Sequence, residues 1–327
     1  LNLDLPERKI VLSDDGEVLS VDFKNRFEAH KLVEEFMVMA NVCAAETLEA
    51  NQETLLYRVH EEPTLEKLNA LREVVEDAGL KLAKGQVLKT HHLNKLLDTA
   101  EKSEDAEIIN MTVLRSMSQA YYSPSSLGHF GLNLRRYAHF MSPSRRYADL
   151  IVHRALISTH KFGDDGLIDA DREQLKEIGE WISSTERRSM LAERDTSDRY
   201  LAAFLSDRIG LEFTGRISGI AKFGLFVKLD TSGADGIIPL SKLGREYWRY
   251  DDRERTLTGE DSGRIISIGM PCKVSLVEAT AITGGISLEM LELEGKVIPK
   301  SSRRKTSHKG RRIMRSKDKK RKRKINN

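Results

Sequence analysis

Cysteine is scarce in this chain. Its 327 residues hold two, Cys43 and Cys272, and neither belongs to a C-x-x-C pair. A disulfide framework or a thiolate zinc site needs clustered, regularly spaced cysteines, so both are excluded. The apolar surroundings, NVCAAE and PCKVSLV, predict two buried free thiols in a reducing compartment. Histidine offers no substitute for the missing thiolates: His91 and His92 are adjacent rather than four apart, and His129 and His139 lie ten apart without a clustered carboxylate, which argues against a zinc hydrolase. Long hydrophobic runs are also missing. Nothing approaches the roughly eighteen apolar residues of a membrane-spanning helix, so no membrane partner and a cytoplasmic location are expected.

The chain is 39% hydrophobic and 31% charged, ordinary for a globular protein long enough to bury two or three cores. Its small formal charge, +3, conceals an asymmetry. Of 53 Lys/Arg and 50 Asp/Glu, fifteen basic residues and a single acid, Asp318, fall between Lys300 and Lys324. The tail therefore carries +14, and the 38 basic and 49 acidic residues elsewhere leave a body at −11. With Ile313-Met314 as its one hydrophobic cluster, the tail cannot bury a core and is expected to be disordered when free. Such arms contact nucleic acid, dock on a ribosome or protein partner, or serve solubility.

Periodicity predicts a hairpin over residues 8–22 turning at Asp14-Asp15-Gly16. A helix over residues 25–50 follows, with Leu32, Val33, Phe36, Met37, Ala40 and Ala44 on one face. Next come a short strand in LLYRVH, a helix stopping at Gly79, short helices in HHLNKLLD and EDAEIINMTVLRSMSQA, and an irregular surface in YYSPSSLGHFGL. A long helix from about Asp171 to Asp207 should approach 55 Å at roughly 1.5 Å per residue, with Gly179 as the point where it can bend. Residues 213–292 alternate as five short strands with glycine at the joints, which fits an OB-type barrel. Within that region Phe223 and Phe226 flank Gly224, and a long excursion carries Tyr247, Trp248 and Tyr250 among Arg245, Arg249 and Arg253. Aromatics beside arginines suit base stacking on single-stranded RNA. The alternative is that Phe226 and Trp248 fill the barrel.

The segment HFGLNLRRYAHFMSPSRRYADLIVHR is the most informative. Ser142 as N-cap and Pro143 at the first position signal a helix start, which would place Arg145 and Arg146 in its first turn. Cations are disfavoured there by the helix dipole unless an anion lies against them, and guanidinium forks suit phosphate. The alternative is pairing with carboxylates. Glu186 and Glu193, seven apart, share a face of the long helix, a spacing that most often marks a solvated face.

These residues carry a resemblance. HFGL, YAHFMSPSRRYADL and VHR, with DLPERKIVL, AHKLVEEFMVMAN and LYRVHEEP upstream and ERRSMLAERD downstream, resemble the C-terminal half of the catalytic domain of the RNase II/RNase R exoribonuclease family, the lysine-rich tail and the SPSRRY wording favouring its RNase R branch. FTGRISGIAKFGLFVKLDTSGADGIIPLSKL resembles the S1 RNA-binding domain that follows it. The resemblance implies an α+β chain: a helix-rich partial RNB-type catalytic domain over residues 1–210, a five-stranded OB-fold (S1) barrel over 211–293, and a disordered basic tail over 294–327. It implies 3′-to-5′ hydrolysis of single-stranded RNA to nucleoside 5′-monophosphates with magnesium ions. Arg145 matches the family residue that contacts the phosphate being cut, Glu193 a glutamate beside the scissile end, and Glu34 the residue contacting the terminal nucleotide. Arg146 and Tyr147 belong to the same RNA-facing segment, with packing as their alternative role. Phe223, Phe226, Tyr247, Trp248 and Arg249 are the candidate RNA contacts of the S1 domain. One feature departs from the family: the D-x-x-D-F-D-D cluster that holds its metals is absent. With a first residue of Leu1, this predicts a fragment, inactive alone, whose rivals are a non-catalytic RNA-binding protein and one half of a split enzyme. A monomer is expected, with RNA-decay proteins or the ribosome as possible partners of the tail.

Overall fold

The computed structural model describes residues 1–3, 5–82, 88–103, 106–244, 246–252 and 255–299. The basic tail, Arg245 and Arg253 lie outside the described residues. The chain separates into two units, one of residues 1–209 with 228–235 and 278–286, the other of 210–227, 236–277 and the remainder. Among the described residues helices and strands are mixed, with six α-helices and a closed barrel.

The first unit opens with an antiparallel hairpin, β1 (Arg8–Leu12) and β2 (Val18–Phe23), turning at Gly16 with φ +82°. Helix α1 (Glu28–Ala50) begins where His30 Nδ1 accepts the Phe27 N–H at 3.1 Å, replacing a side-chain cap at that position. Strand β3 (Tyr57–Val59) pairs with a later strand; α2 (Leu65–Asp77), α3 (Thr90–Ala100) and α4 (Ala106–Ser116) pack on each other around Leu71, Val75, Leu93, Ile109 and Val113. The YYSPSS stretch, expected to be irregular surface, instead contributes β4 (Tyr121–Ser123), antiparallel to β3, with Tyr122 buried. A three-residue strand is too short for period-two alternation to reveal it. Helices α5 (Tyr147–His160) and α6 (Asp169–Ser206) complete the unit. Leu48 of α1, Leu56, Ile151 and Val152 of α5 and Leu175 of α6 share its main core.

The predicted apolar face of α1 is only half used. Ala44 and Leu48 are buried, whereas Leu32, Val33 and Phe36 are 60%, 57% and 69% exposed, and nothing among the described residues covers them. Cys43, expected to be buried, is exposed on the same helix, because it falls off the face that carries Ala44, Ala45 and Leu48.

The barrel consists of β5 (Glu212–Ala221), β6 (Gly224–Leu229), β7 (Asp235–Pro239), and, after an excursion, β11 (Pro271–Thr280) and β12 (Gly285–Leu293). The excursion is a small sheet of its own, β8 (Trp248–Asp251), β9 (Thr256–Gly259) and β10 (Ile265–Ile266), in the order β10-β9-β8. β11 pairs with β5 (Ser275 opposite Glu212) and with β12, while β12 runs parallel to β7 (Ser287 opposite Ile237), which closes five strands. A short β13 (Lys296–Val297) extends β12. Gly224 permits that closure: a Cβ there would lie 2.4 Å from the Ile238 carbonyl oxygen.

Candidate functional site

In the first unit, residues 137–146 cross between β4 and α5, and side chains of two helices hold them. Asn41, a polar residue within the apolar face of α1 and 3% exposed, accepts the N–H groups of Phe140 (2.8 Å) and Met141 (3.2 Å) and donates to the Tyr137 hydroxyl (3.0 Å). His153 on α5 donates Nε2–H to the Phe140 carbonyl (2.9 Å), and its ring stacks on that of Phe140 at 4.3 Å. The predicted helix start at Ser142-Pro143 is displaced. Arg145 and Arg146 both donate their N–H groups to the Ser142 carbonyl, which closes a single turn. Arg146 then becomes extended (φ −128°, ψ 120°) as the N-cap, so α5 begins at Tyr147 and neither arginine lies in its first turn. Pairing with Asp149, three residues on, explains that extension: the Arg146 guanidinium meets both carboxylate oxygens, at 2.9 and 2.8 Å. Arg145 is exposed and has no ion pair among the described residues.

Beside this turn runs a row of rings. His60 and His129 have centroids 5.0 Å apart, followed by His129–Tyr137 at 5.2 Å, Tyr137–His139 at 5.7 Å and His139–Tyr122 at 5.6 Å. Arg58 lies over the Tyr122 ring at 4.7 Å and makes a two-pronged pair with Glu186, at 2.7 and 3.1 Å. Burial, reinforced by nearby guanidinium and imidazole groups, pushes His129 and His139 down to about 3 and lowers His60. Burial also pushes Tyr122 up to about 12. The cluster is therefore neutral apart from the balanced Arg58–Glu186 pair.

Glu186, predicted to share a face with Glu193, is tied to β3 through Arg58. Glu193, two turns further along α6, is exposed and lines a shallow depression with Ile10, Leu12, Ser189 and Tyr200. Glu34 is exposed and paired with Arg26 at 2.6 Å, and Tyr147 is 47% exposed. In the barrel and its excursion, Phe223 and Tyr247 are exposed, Phe226 is half-buried edge-on to Phe223 at 6.0 Å, and Arg249 is exposed. Trp248 corrects the stacking expectation. It is 4% exposed with its indole N–H donated to the Leu243 carbonyl at 2.8 Å, so its ring has no free face for a base. Asn41 and Asp149 were missed by sequence reasoning. Their signals were an amide interrupting the apolar stripe of α1 and a carboxylate three residues after an arginine.

The donor set for a metal does not fit: among the described residues there is no group of three or more His, Cys, Asp or Glu able to hold an ion.

A helix-rich unit with an arginine turn, followed in the chain by a five-stranded barrel, is the pairing of an RNB-type domain with an S1-type barrel. Residues 1–161 match the RNB domain family and residues 206–291 the S1 RNA binding domain family. Ribonuclease R of Escherichia coli is 35% identical over 277 residues, 82% of this chain, and that of Vibrio cholerae 35% over 301 residues, 89% of it. The chain spans about a third of their lengths, 34% and 36%. A solved structure of Mycoplasma genitalium RNase R in complex with ribose methylated single-stranded RNA aligns with a TM-score of 0.84 at 29% identity, covering 89% of this chain and 46% of that one. The chain carries an RNB domain and an S1 domain, and it is similar to ribonucleases R of the RNase II/RNase R family.

Proposed function

We propose that this chain is the phosphate-contacting and RNA-guiding portion of a 3′-to-5′ exoribonuclease that acts on single-stranded RNA. The observation that carries the reading is Arg145: an exposed guanidinium, unpaired among the described residues, in a turn whose other arginine is already neutralised. Such a group matches the charge that gathers on the phosphoryl oxygens during displacement. Glu193 lies beside the scissile end in this reading, and Glu34 and Tyr147 contact the terminal nucleotides. Phe223, Phe226, Tyr247 and Arg249 guide the strand by stacking and charge, each stacked base contributing about 1–3 kcal/mol. Magnesium belongs to the family chemistry, but its carboxylates are not among the residues described, so Arg145 and Glu193 supply binding and charge compensation without cleavage by themselves.

A second reading is a non-catalytic RNA-binding protein on the same scaffold, which would use the exposed Arg145 and the exposed Phe223, Tyr247 and Arg249 to hold RNA without cleaving it. Release of labelled mononucleotides from a poly(A) oligomer with magnesium separates the two. Alone, the chain is expected to bind the oligomer and release nothing. Addition of the aspartate-bearing portion of E. coli ribonuclease R is expected to restore release. Turnover by the chain alone overturns the incompleteness of its site, and silence after mixing favours the non-catalytic reading.

A further inference from the structure

Asp149 is completely buried, and a carboxylate in that position is costly unless a cation is paired with it. Its partners show what it is for. One oxygen accepts the Ser142 backbone N–H at 2.7 Å and an Arg146 N–H at 2.9 Å, and the other faces Arg146 Nε at 2.8 Å. Ser142 and Arg146 are the two ends of the turn closed by the Ser142 carbonyl, so one side chain staples both ends. Asn41 repeats the device one step upstream, through Phe140 and Met141. Charge follows geometry: Asp149 cancels Arg146 and leaves Arg145 as the turn's one unpaired cation among the described residues.

We propose that Asp149, backed by Asn41, is a positioning residue that holds the 142–146 turn in advance of binding, so that Arg145 presents a fixed guanidinium to an RNA phosphate. This role rests on the RNA reading above. Preorganisation spares the turn from being ordered at the moment of binding. It also separates the two arginines by function, with Arg146 acting on the phosphate only through Asp149.

A double-mutant cycle on the full chain tests it, with a single-stranded A4 oligoribonucleotide as probe, short enough that one phosphate contact is a large share of affinity. Arg145→Ala should weaken binding about tenfold, or ~1.4 kcal/mol, in the unmodified chain and less than twofold in the Asp149→Asn background. A purely electrostatic role predicts the opposite, because removing a negative charge leaves Arg146 uncompensated and should tighten binding with the Arg145 effect intact. Amide exchange supplies a readout that needs no RNA: the Ser142 N–H should lose at least tenfold protection in Asp149→Asn, while amides in the middle of α5 keep theirs. A full Arg145 effect in Asp149→Asn, or an unchanged Ser142 amide, overturns the positioning role alone. Failure of the unmodified chain to bind A4 overturns the RNA reading itself, with the exchange result still deciding whether the staple exists. Should Asp149→Asn not fold, Asn41→Ala serves in its place, with the Arg145 effect expected to fall to about threefold and an unchanged tenfold effect sinking the proposal.

Discussion

His129 and His139 stay neutral because their surroundings offer desolvation and like charge where an imidazolium needs water or a carboxylate. Neutrality has a consequence for stability. The unfolded chain binds a proton at each site below about pH 6.5, and the folded chain does not until about pH 3. Between those limits the unfolded state holds more protons, so stability falls as pH falls, by up to about 1.4 kcal/mol per pH unit for each histidine, and is fully present above that window. Urea midpoints measured at pH 7.5 and pH 5 should therefore separate clearly, and His129→Gln with His139→Gln should narrow the gap; an equal gap in the double variant would remove these histidines as the cause. Burial was legible in the sequence where it is set locally, as with Cys272 in its apolar PCKVSLV setting. It was not legible where the answer depends on what lies across space. Trp248 reads as a stacking ring among arginines, and only the distance to the Leu243 carbonyl reveals a buried one.

At the scale of elements, long periodic segments declared themselves and short ones did not. The 38-residue α6, expected from about Asp171 to Asp207 and found at Asp169–Ser206, was visible, while β4 was hidden inside a proline- and serine-rich stretch. Gly179 was expected as a place for α6 to bend, but the described contacts assign it a close approach: a Cβ there would sit 2.8 Å from the Tyr122 carbonyl oxygen and 3.3 Å from Leu56. Four residues on, Ser183 donates to the Gly179 carbonyl and accepts the Tyr122 N–H at 2.9 Å, which locks β4 on the helix. Alanine at 179 should gain about 1 kcal/mol of helix propensity yet lose more, because backbone must move; overpacking of this kind costs about 1–3 kcal/mol. A thermal melt of Gly179→Ala is expected to show a lower midpoint, and a raised one would mean that β4 can retreat freely. The exposed front half of α1 shows the limit of periodicity from the other side, since Leu32, Val33 and Phe36 repeat as a core face does whether or not the described residues cover them.

For the whole molecule, the order of a helix-rich unit and a barrel was readable because alternation and glycine joints persist over 80 or so residues, about the size of an OB-type barrel. The small sheet inside the excursion was not readable, since its strands are two to four residues long. Charge distribution supplies the prediction at this scale. If about half of the fifteen basic groups in residues 300–324 meet phosphates, roughly seven contacts at about −0.7 each give a log–log salt slope near −5 on single strands. Deleting residues 300–327 should flatten the slope by most of that amount in fluorescence anisotropy titrations with poly(A), and an unchanged slope would give the tail to a protein partner or to solubility. The barrel's closure also bears on how the chain is made. Its first strand finds one neighbour in β11, and its third finds one in β12, so the ring stays open until residue 293 has left the ribosome. With 54 residues still to be synthesised between the end of β7 at Pro239 and the end of β12 at Leu293, at about 5–20 residues per second, the nascent β5–β7 edge spends roughly 3–11 seconds without its final partners. During that interval its open strand edges are free to pair with another chain.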